Sequence, residues 1–167
     1  MAHLHLLIGP VGAGKSTYAK QLGREQRAVR LTLDAWMTQL FGDDERPAIG
    51  RMEWYLERRE RCLAQIWSVT QELLAAGMTV VLEPSLIQKA EREELYRRID
   101  GEGCGLTVHV LDAPREVRRA RVLKRNAERG ETFSVEVPLP YFDLASDLWE
   151  PPDEDERRGR DFRFLPS

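Results

Sequence analysis

Apolar and polar positions follow two different periods along this chain, and the switches between them mark out strands and helices. His3-Leu4-His5-Leu6-Leu7-Ile8 reads as a strand stopped by Gly9-Pro10. From Lys15 to Arg24 the spacing turns helical, with Tyr18, Ala19 and Leu22 on one side and an end near Gly23. Val29-Arg30-Leu31-Thr32-Leu33 alternates apolar with polar, as a half-exposed strand does, and Asp161-Phe162-Arg163-Phe164-Leu165 alternates in the same way. Met78 to Leu82 is more uniformly apolar, as a strand covered on both faces is. Leu106 to Leu111 is also apolar, interrupted only by Thr107 and His109.

Helical stretches separate these runs. The longest, Met52 to Ala76, places Trp54, Leu56, Cys62, Leu63, Ile66, Trp67, Leu73 and Leu74 as apolar candidates, with Gly77 as its stop. Lys89 to Ile99, Pro114 to Glu128 and Pro140 to Leu148 are the others. Strands that alternate with helices call for a parallel sheet wrapped by helices on both faces. The alternating second and fifth strands are expected at its edges, which gives the order 2-3-1-4-5. The acidic segment Pro151 to Glu156 reads as a mobile surface loop.

Composition narrows this picture. A chain of 167 residues fits one α/β domain spanning 1–167. Charged residues make up 32%, and because apolar periodicity persists beneath them they predict solvated helices rather than disorder. A net charge of −3 argues against a protein that coats DNA through a broad basic surface. Cys62 and Cys104 lie far apart without metal-ligand spacing and read as buried thiols. Met1 to Ile8 lacks the basic start and long apolar run of a signal peptide, and no stretch approaches a membrane span, so a cytoplasmic location is expected.

Gly9-Pro10-Val11-Gly12-Ala13-Gly14-Lys15-Ser16 matches G-x-x-x-x-G-K-[ST] at every fixed position, between an apolar strand and a helix. Glycines let such a loop turn its N–H groups inward around phosphate oxygens, and the helix N-terminus adds partial positive charge. This predicts a P-loop for ATP. Lys15 supplies a full charge to the β- and γ-phosphates, Ser16 joins the Mg²⁺ shell, and Thr17 meets the α-phosphate. The base-reading N-K-x-D of a GTPase and the L-S-G-G-Q of an ABC-type ATPase are both absent, which leaves the nucleoside- and small-molecule-kinase branch.

Further segments carry a resemblance: Leu33-Asp34, Val80-Val81-Leu82-Glu83, Asp112-Ala113-Pro114, Arg125-Asn126-Ala127-Glu128-Arg129-Gly130 and Leu148-Trp149-Glu150-Pro151-Pro152. With the P-loop, they are similar to the small P-loop kinases grouped with polynucleotide kinase, chloramphenicol phosphotransferase, gluconate kinase and zeta toxin. Within that group the chain resembles a bacterial subgroup usually labelled AAA family ATPase. The resemblance implies an adenylate-kinase-like fold, ATP and Mg²⁺ as cofactors, a hydroxyl-bearing acceptor, and an arginine-rich lid around residues 114–135.

It also implies roles. In polynucleotide kinase and chloramphenicol phosphotransferase an Asp at the place of Asp34 accepts the proton of the attacking hydroxyl. Asp34 follows an alternating strand at the rim where open α/β sheets bind ligands, so a carboxylate here suits either the nucleophile or the metal. The structural alternative is an N-cap for a helix beginning at Ala35. Glu83 stands where relatives more often carry an Asp that orders Mg²⁺. The competing reading makes it a buried partner of Lys15 or Ser16. Arg121 and Arg125, four apart on one helix face, correspond to lid arginines over the transferring phosphoryl, whereas Arg115, Arg118 and Lys124 read as a solvated face. Nucleic acid is the weaker reading of this cluster, because no stacking aromatics are interleaved with it. Arg51 and Arg58 share a helix face that could meet the acceptor, and Trp36 could wall its pocket or belong to the core. His3, His5 and His109 read as structural. The acceptor's identity rests on tertiary contacts that a linear pattern does not carry.

Overall fold

The computed structural model describes residues 2–128 and 136–165. In chain order the elements are β1 (His3–Ile8), α1 (Lys15–Glu25), β2 (Val29–Thr32), α2 (Leu33–Phe41), α3 (Arg51–Ala75) and β3 (Thr79–Glu83). They continue with α4 (Lys89–Asp100), β4 (Gly105–Leu111), α5 (Arg115–Glu128), α6 (Leu139–Asp147), α7 (Glu154–Arg157) and β5 (Asp161–Leu165). The five strands form one sheet in the order β2-β3-β1-β4-β5, parallel throughout, with helices on both faces. This is the adenylate-kinase-like P-loop architecture, with the alternating strands at the edges and the uniformly apolar ones inside.

The two-residue period of β1 sorts the core into its two layers. Leu4, Leu6 and Ile8 face one side, where with Val80, Leu82, Val108 and Val110 they meet Cys62 and Ile66 of α3 and Tyr96 and Ile99 of α4. Leu7 faces the other side with Val81 and Leu111, against Ala19 and Leu22 of α1. His3 and His5 share this second face. His5 Nδ1 lies 3.1 Å from His109 Nε2, and His109 Nδ1 lies 3.1 Å from the Tyr18 hydroxyl. Burial pushes both His5 and His109 down to about 4, so the polar ladder stays uncharged near neutral pH. The α3 helix ends in a Schellman turn: Met78 N–H donates to the Leu73 carbonyl at 3.0 Å and Gly77 N–H to that of Leu74 at 2.9 Å.

Three expectations are corrected. Chain alternation carried β2 through Leu33, but the strand stops at Thr32 and α2 begins at Leu33 with Thr32 as its N-cap residue. Asp34 is therefore inside the first helical turn and is not the cap. Pro151 to Glu156 is not a free loop. Asp153 caps α7 by accepting from the Glu156 N–H at 2.9 Å, and the Glu156 side chain is buried. It takes two hydrogen bonds from Arg92, at 2.6 and 2.8 Å, and one from the Tyr96 hydroxyl at 2.9 Å. Arg92 also donates to the carbonyls of Ile87 and Glu150 and lies 5.3 Å from the Trp149 ring. A fully buried ion pair thus ties α4 to the segment that leads into β5.

The third correction concerns Arg118, expected on a solvated face but only 5% exposed. Its guanidinium donates to the carbonyls of Ala113 and Val11 and to the Ser146 hydroxyl, at 2.9, 3.0 and 3.0 Å, and lies 5.4 Å from the Phe142 ring. Arg115 and Lys124 are exposed, bridged to Asp143 and Asp147 and to Glu128 respectively. No helix among the described residues is long and apolar enough to cross a membrane.

Candidate active site

Parallel strands all point their C-terminal ends to one rim, and the β1–α1 loop crosses it. Backbone geometry dictates the loop's glycines. Gly9, at φ +150°, passes so close to β4 that a side chain would collide with the Leu111 carbonyl. Gly12, at φ +80°, lies under α5, where an added Cβ would sit 2.7 Å from the Arg118 carbonyl oxygen. Arg118 closes this packing from the other side by holding the Val11 carbonyl. The loop is thereby clamped between β4, α5 and α6. Ala13 is buried, and Gly14, Ser16 and Thr17 stand at the N-terminus of α1, where unpaired N–H groups face outward.

The Lys15 ammonium folds over the loop and donates to the carbonyls of Gly9 at 2.8 Å and Pro10 at 2.9 Å. Burial lowers its pKa. The charges of Glu83 and Asp34 act in the opposite direction, and those of Arg125 and Arg118 add to the lowering. Charges from β3, α2 and α5 are therefore felt by one ammonium. Ser16 Oγ donates to Glu83 Oε1 at 3.0 Å. Glu83, 3% exposed, has its carboxyl pushed up to about 7, first by burial and further by Asp34, with Lys15, the Ser16 hydrogen bond and Arg30 opposing.

The second carboxyl oxygen, Glu83 Oε2, is buried without a hydrogen-bond partner among the described residues. A buried oxygen left over beside a hydroxyl is a fitting edge for a Mg²⁺ ion, which prefers oxygen donors and takes its remaining ligands from water and phosphate. The described residues contain no group of three His, Cys, Asp or Glu placed to hold a metal alone. Ser16 and Glu83 are the residues that could contribute to such an ion, with Asp34 on the exposed side.

The remaining candidates separate. Arg125 is half-buried, its Nε unpaired among the described residues, and its charge reaches Lys15. Arg121 is exposed. Lid residues 129–135, with Arg129 and Gly130 of the quoted motif, lie outside the described residues. Trp36 packs against the main core. Arg51 is exposed and donates to the Pro47 carbonyl. Arg58 lies 4.0 Å from the Trp54 ring and 5.4 Å from that of Phe41, with Asp44 at 3.8 Å.

Two tyrosines meet from elements that the one-dimensional pattern does not connect. Tyr55 of α3 meets Tyr141 of α6 edge-on, ring centres 6.4 Å apart. Burial first, then Tyr141 and more weakly Asp34, push the Tyr55 pKa up. Only the aromatic at position 55, on the same helix as Arg58, hinted at this contact.

Comparison with known proteins gives the same architecture. A protein of Chloroflexus aurantiacus assigned as a kinase superposes with a TM-score of 0.76 at 16% identity, over 98% of this chain and 87% of that one. Kti12 of Chaetomium thermophilum, solved with ADP-AlF3, gives 0.71 at 17%, over 97% and 88%. A gluconokinase of Sinorhizobium meliloti gives 0.63 at 18%, over 99% and 83%. No curated protein matches the sequence. The family model described as AAA domain matches residues 4–143, most of the chain, and the chain belongs to that family.

Proposed function

We propose that this chain is an ATP-dependent phosphotransferase that moves the γ-phosphate of ATP to the hydroxyl of a small molecule. The observation that carries the reading is the rim itself: Lys15 lies over the P-loop on the Gly9 and Pro10 carbonyls, Ser16 is hydrogen-bonded to the buried Glu83, and Asp34 opens α2 just past the C-terminal end of β2. A P-loop used only to hold a nucleotide needs the lysine and the hydroxyl. A solvent-accessible carboxylate at the start of α2 and an arginine on α5 whose Nε has no partner among the described residues are what transfer to an alcohol adds.

In this reading the loop N–H groups and Lys15 hold the phosphates, and Lys15 exchanges its two carbonyl partners for phosphate oxygens. Ser16 and Glu83 hold Mg²⁺, which when bound offsets phosphate charge. Asp34 orients the acceptor hydroxyl and takes its proton late in the transfer. Arg125 supplies planar positive charge to the transferring group, and Arg121, one turn before it on α5, is the second candidate for that role. Arg51 and Arg58 of α3 and Trp36 of α2 remain the candidates for the acceptor side.

A small acceptor is favoured over a 5′-hydroxyl polynucleotide by the charges around α2 and α3. Residues 43–61 carry six carboxylates against five arginines, and Arg58 is already engaged by Trp54, Phe41 and Asp44. A polyanion needs an uninterrupted basic track there. The test is Asp34→Asn. Its ATP affinity should survive, and transfer should fall about 10²–10⁴-fold, the range for a lost general base. Because Asp34 lies inside the first turn and not at the cap position, no capping contact is lost and the fold should survive the substitution. Turnover retained in the variant, measured as ADP release, would remove Asp34 from the chemistry. Loss of ATP-Mg²⁺ binding would instead place it in the metal shell.

A further inference from the structure

The P-loop contains one peptide that its own sequence leaves free to turn. Pro10 restricts the backbone before it and α1 fixes the backbone after Gly14, but the Val11–Gly12 unit ends on a residue without a side chain, at φ +80°. Rotating that peptide costs a glycine little, and the rotation decides where the Gly12 N–H points. The close approach of α5 requires glycine at this position, so the freedom comes with it.

The Arg118 guanidinium holds this peptide from outside the loop. Its Nη1 donates to the Val11 carbonyl at 3.0 Å and to the Ser146 hydroxyl of α6 at 3.0 Å, while Nε donates to the Ala113 carbonyl at 2.9 Å. Ala113 is anchored in turn by Asp112, which accepts from the Ala113 N–H at 2.7 Å and from Trp149 Nε1 at 3.1 Å. No peptide among the described residues is cis, so the C=O and N–H of one unit point in opposite directions. With the Val11 oxygen turned out to Arg118, the Gly12 N–H is turned away from that guanidinium.

Packing alone does not ask for an arginine here. Val11 joins Val122, Val137 and Phe142 in a small apolar cluster, and the guanidinium lies 5.4 Å from the Phe142 ring. Methionine or leucine would fill such a place without burying a charge. The Asp112 carboxylate stands 4.0 Å from Arg118 Nε, beyond hydrogen-bonding distance, so the charge is only loosely compensated.

We propose that Arg118 is a positioning residue for the nucleotide: by holding the Val11 carbonyl it aims the Gly12 N–H into the loop, at a phosphate oxygen. The assignment rests on the ATP-dependent reading of the P-loop and adds to it a residue of α5 that acts through the loop rather than on the ligand.

The experiment uses the full chain with ATP-Mg²⁺ and inorganic tripolyphosphate as probes. Affinity is read by calorimetry and the loop by the amide resonances of Gly12 and Gly14. In the wild type both amides should shift on saturation with either probe. Arg118→Met keeps the bulk and removes the donors. It should stay folded by melting temperature, bind both probes about 10–100-fold more weakly, as for a lost hydrogen bond to a charged group, and lose the Gly12 shift while keeping that of Gly14. Arg118→Lys keeps the charge and a donor without the fork that spans three acceptors, so it should fall between the two, and it carries the test if the methionine variant folds poorly. A Gly12 amide that responds in a folded variant as in the wild type, or an unchanged affinity, overturns the proposal and leaves the phosphotransferase reading intact. Affinity that falls only in step with melting temperature, with both amides affected alike, reduces Arg118 to packing and overturns it too. A wild type that binds neither probe overturns the proposal and that reading together.

Discussion

Glu83→Gln should make the protein without ligands more stable at alkaline pH while weakening its use of Mg-ATP. Burial and Asp34 raise the Glu83 carboxyl from an ordinary 4.5 to about 7 despite the opposing Lys15 charge. A carboxylate raised on folding binds more protons in the native state than in the unfolded one between those two values. Stability therefore falls as pH rises from about 4.5 to 7, and the loss is complete above that window. The interval corresponds to about 3 kcal/mol at pH 8. Gln accepts the Ser16 hydroxyl as Glu does, but turns the unpartnered Oε2 into an amide donor that lacks an acceptor, at a cost of about 1–2 kcal/mol. The net gain at pH 8 should be about 1–2 kcal/mol, vanishing or reversing at pH 5, where both side chains are neutral. Urea denaturation of the ligand-free protein at pH 5 and pH 8 measures this, and calorimetry with ATP and Mg²⁺ measures the other half. Wild-type affinity for Mg-ATP should drop about tenfold per pH unit below 7 as the carboxyl takes up a proton, and the variant should bind weakly without that slope. Equal stabilities at both pH values, or a wild-type slope retained in the Gln variant, would refute the assignment of Glu83 as the titrating metal-side group.

Two more substitutions probe other parts of the argument. Lys15→Ala should weaken ATP binding by about 2–4 kcal/mol, by loss of a charge-assisted contact, and an unchanged calorimetric affinity in the folded protein would show that the ammonium keeps its Gly9 and Pro10 carbonyls when nucleotide arrives. Glu156→Gln leaves the buried Arg92 guanidinium uncompensated and should cost about 3–5 kcal/mol in urea denaturation, whereas a loss under about 1 kcal/mol would mean the pair is hydrated like a surface bridge.

What the linear pattern conveys about this molecule depends on how far apart the interacting groups lie in the chain. Periodicity is local, and it delivers the five strands, their edges and the long helices, because burial of one side chain in two or in 3.6 sets each element by itself. The P-loop is local too: its glycines, lysine and serine act through backbone that they themselves shape. The pattern sets the start of α2 two residues late, at Ala35 instead of Leu33, because Leu33 extends the alternation of β2 by one residue and Asp34 is itself a good capping residue, whereas the cap position falls on Thr32, which makes no side-chain capping bond. Arg118 and Glu156 escaped for a different reason. Each occupies a place where the pattern offers a charge among similar charges, and only partners distant in the chain (Val11 and Ser146 for one, Arg92 for the other) distinguish the buried charge from its solvated neighbours.

The same distinction governs the chemistry. Glu83 looks from its own segment like the polar end of an apolar strand, and nothing in Val80-Val81-Leu82-Glu83 says whether it is ionised. Its proton is set first by burial, then by Lys15 and Ser16 from the start of α1, by Asp34 from the start of α2 and by Arg30 from β2, three segments that meet only because the parallel strands share one sheet. Asp34 pushes the Glu83 proton on while Lys15 pulls it off, so the two carboxylates and the ammonium behave as one coupled unit rather than as three independent residues. Removing Asp34 then has a second effect besides the loss of a base: it lets Glu83 ionise at lower pH. The pH profile of Mg-ATP binding in Asp34→Asn should accordingly move toward acid even as transfer is lost. A purely local role for Asp34, whether as solvated helix residue or as cap, would leave that profile where it was.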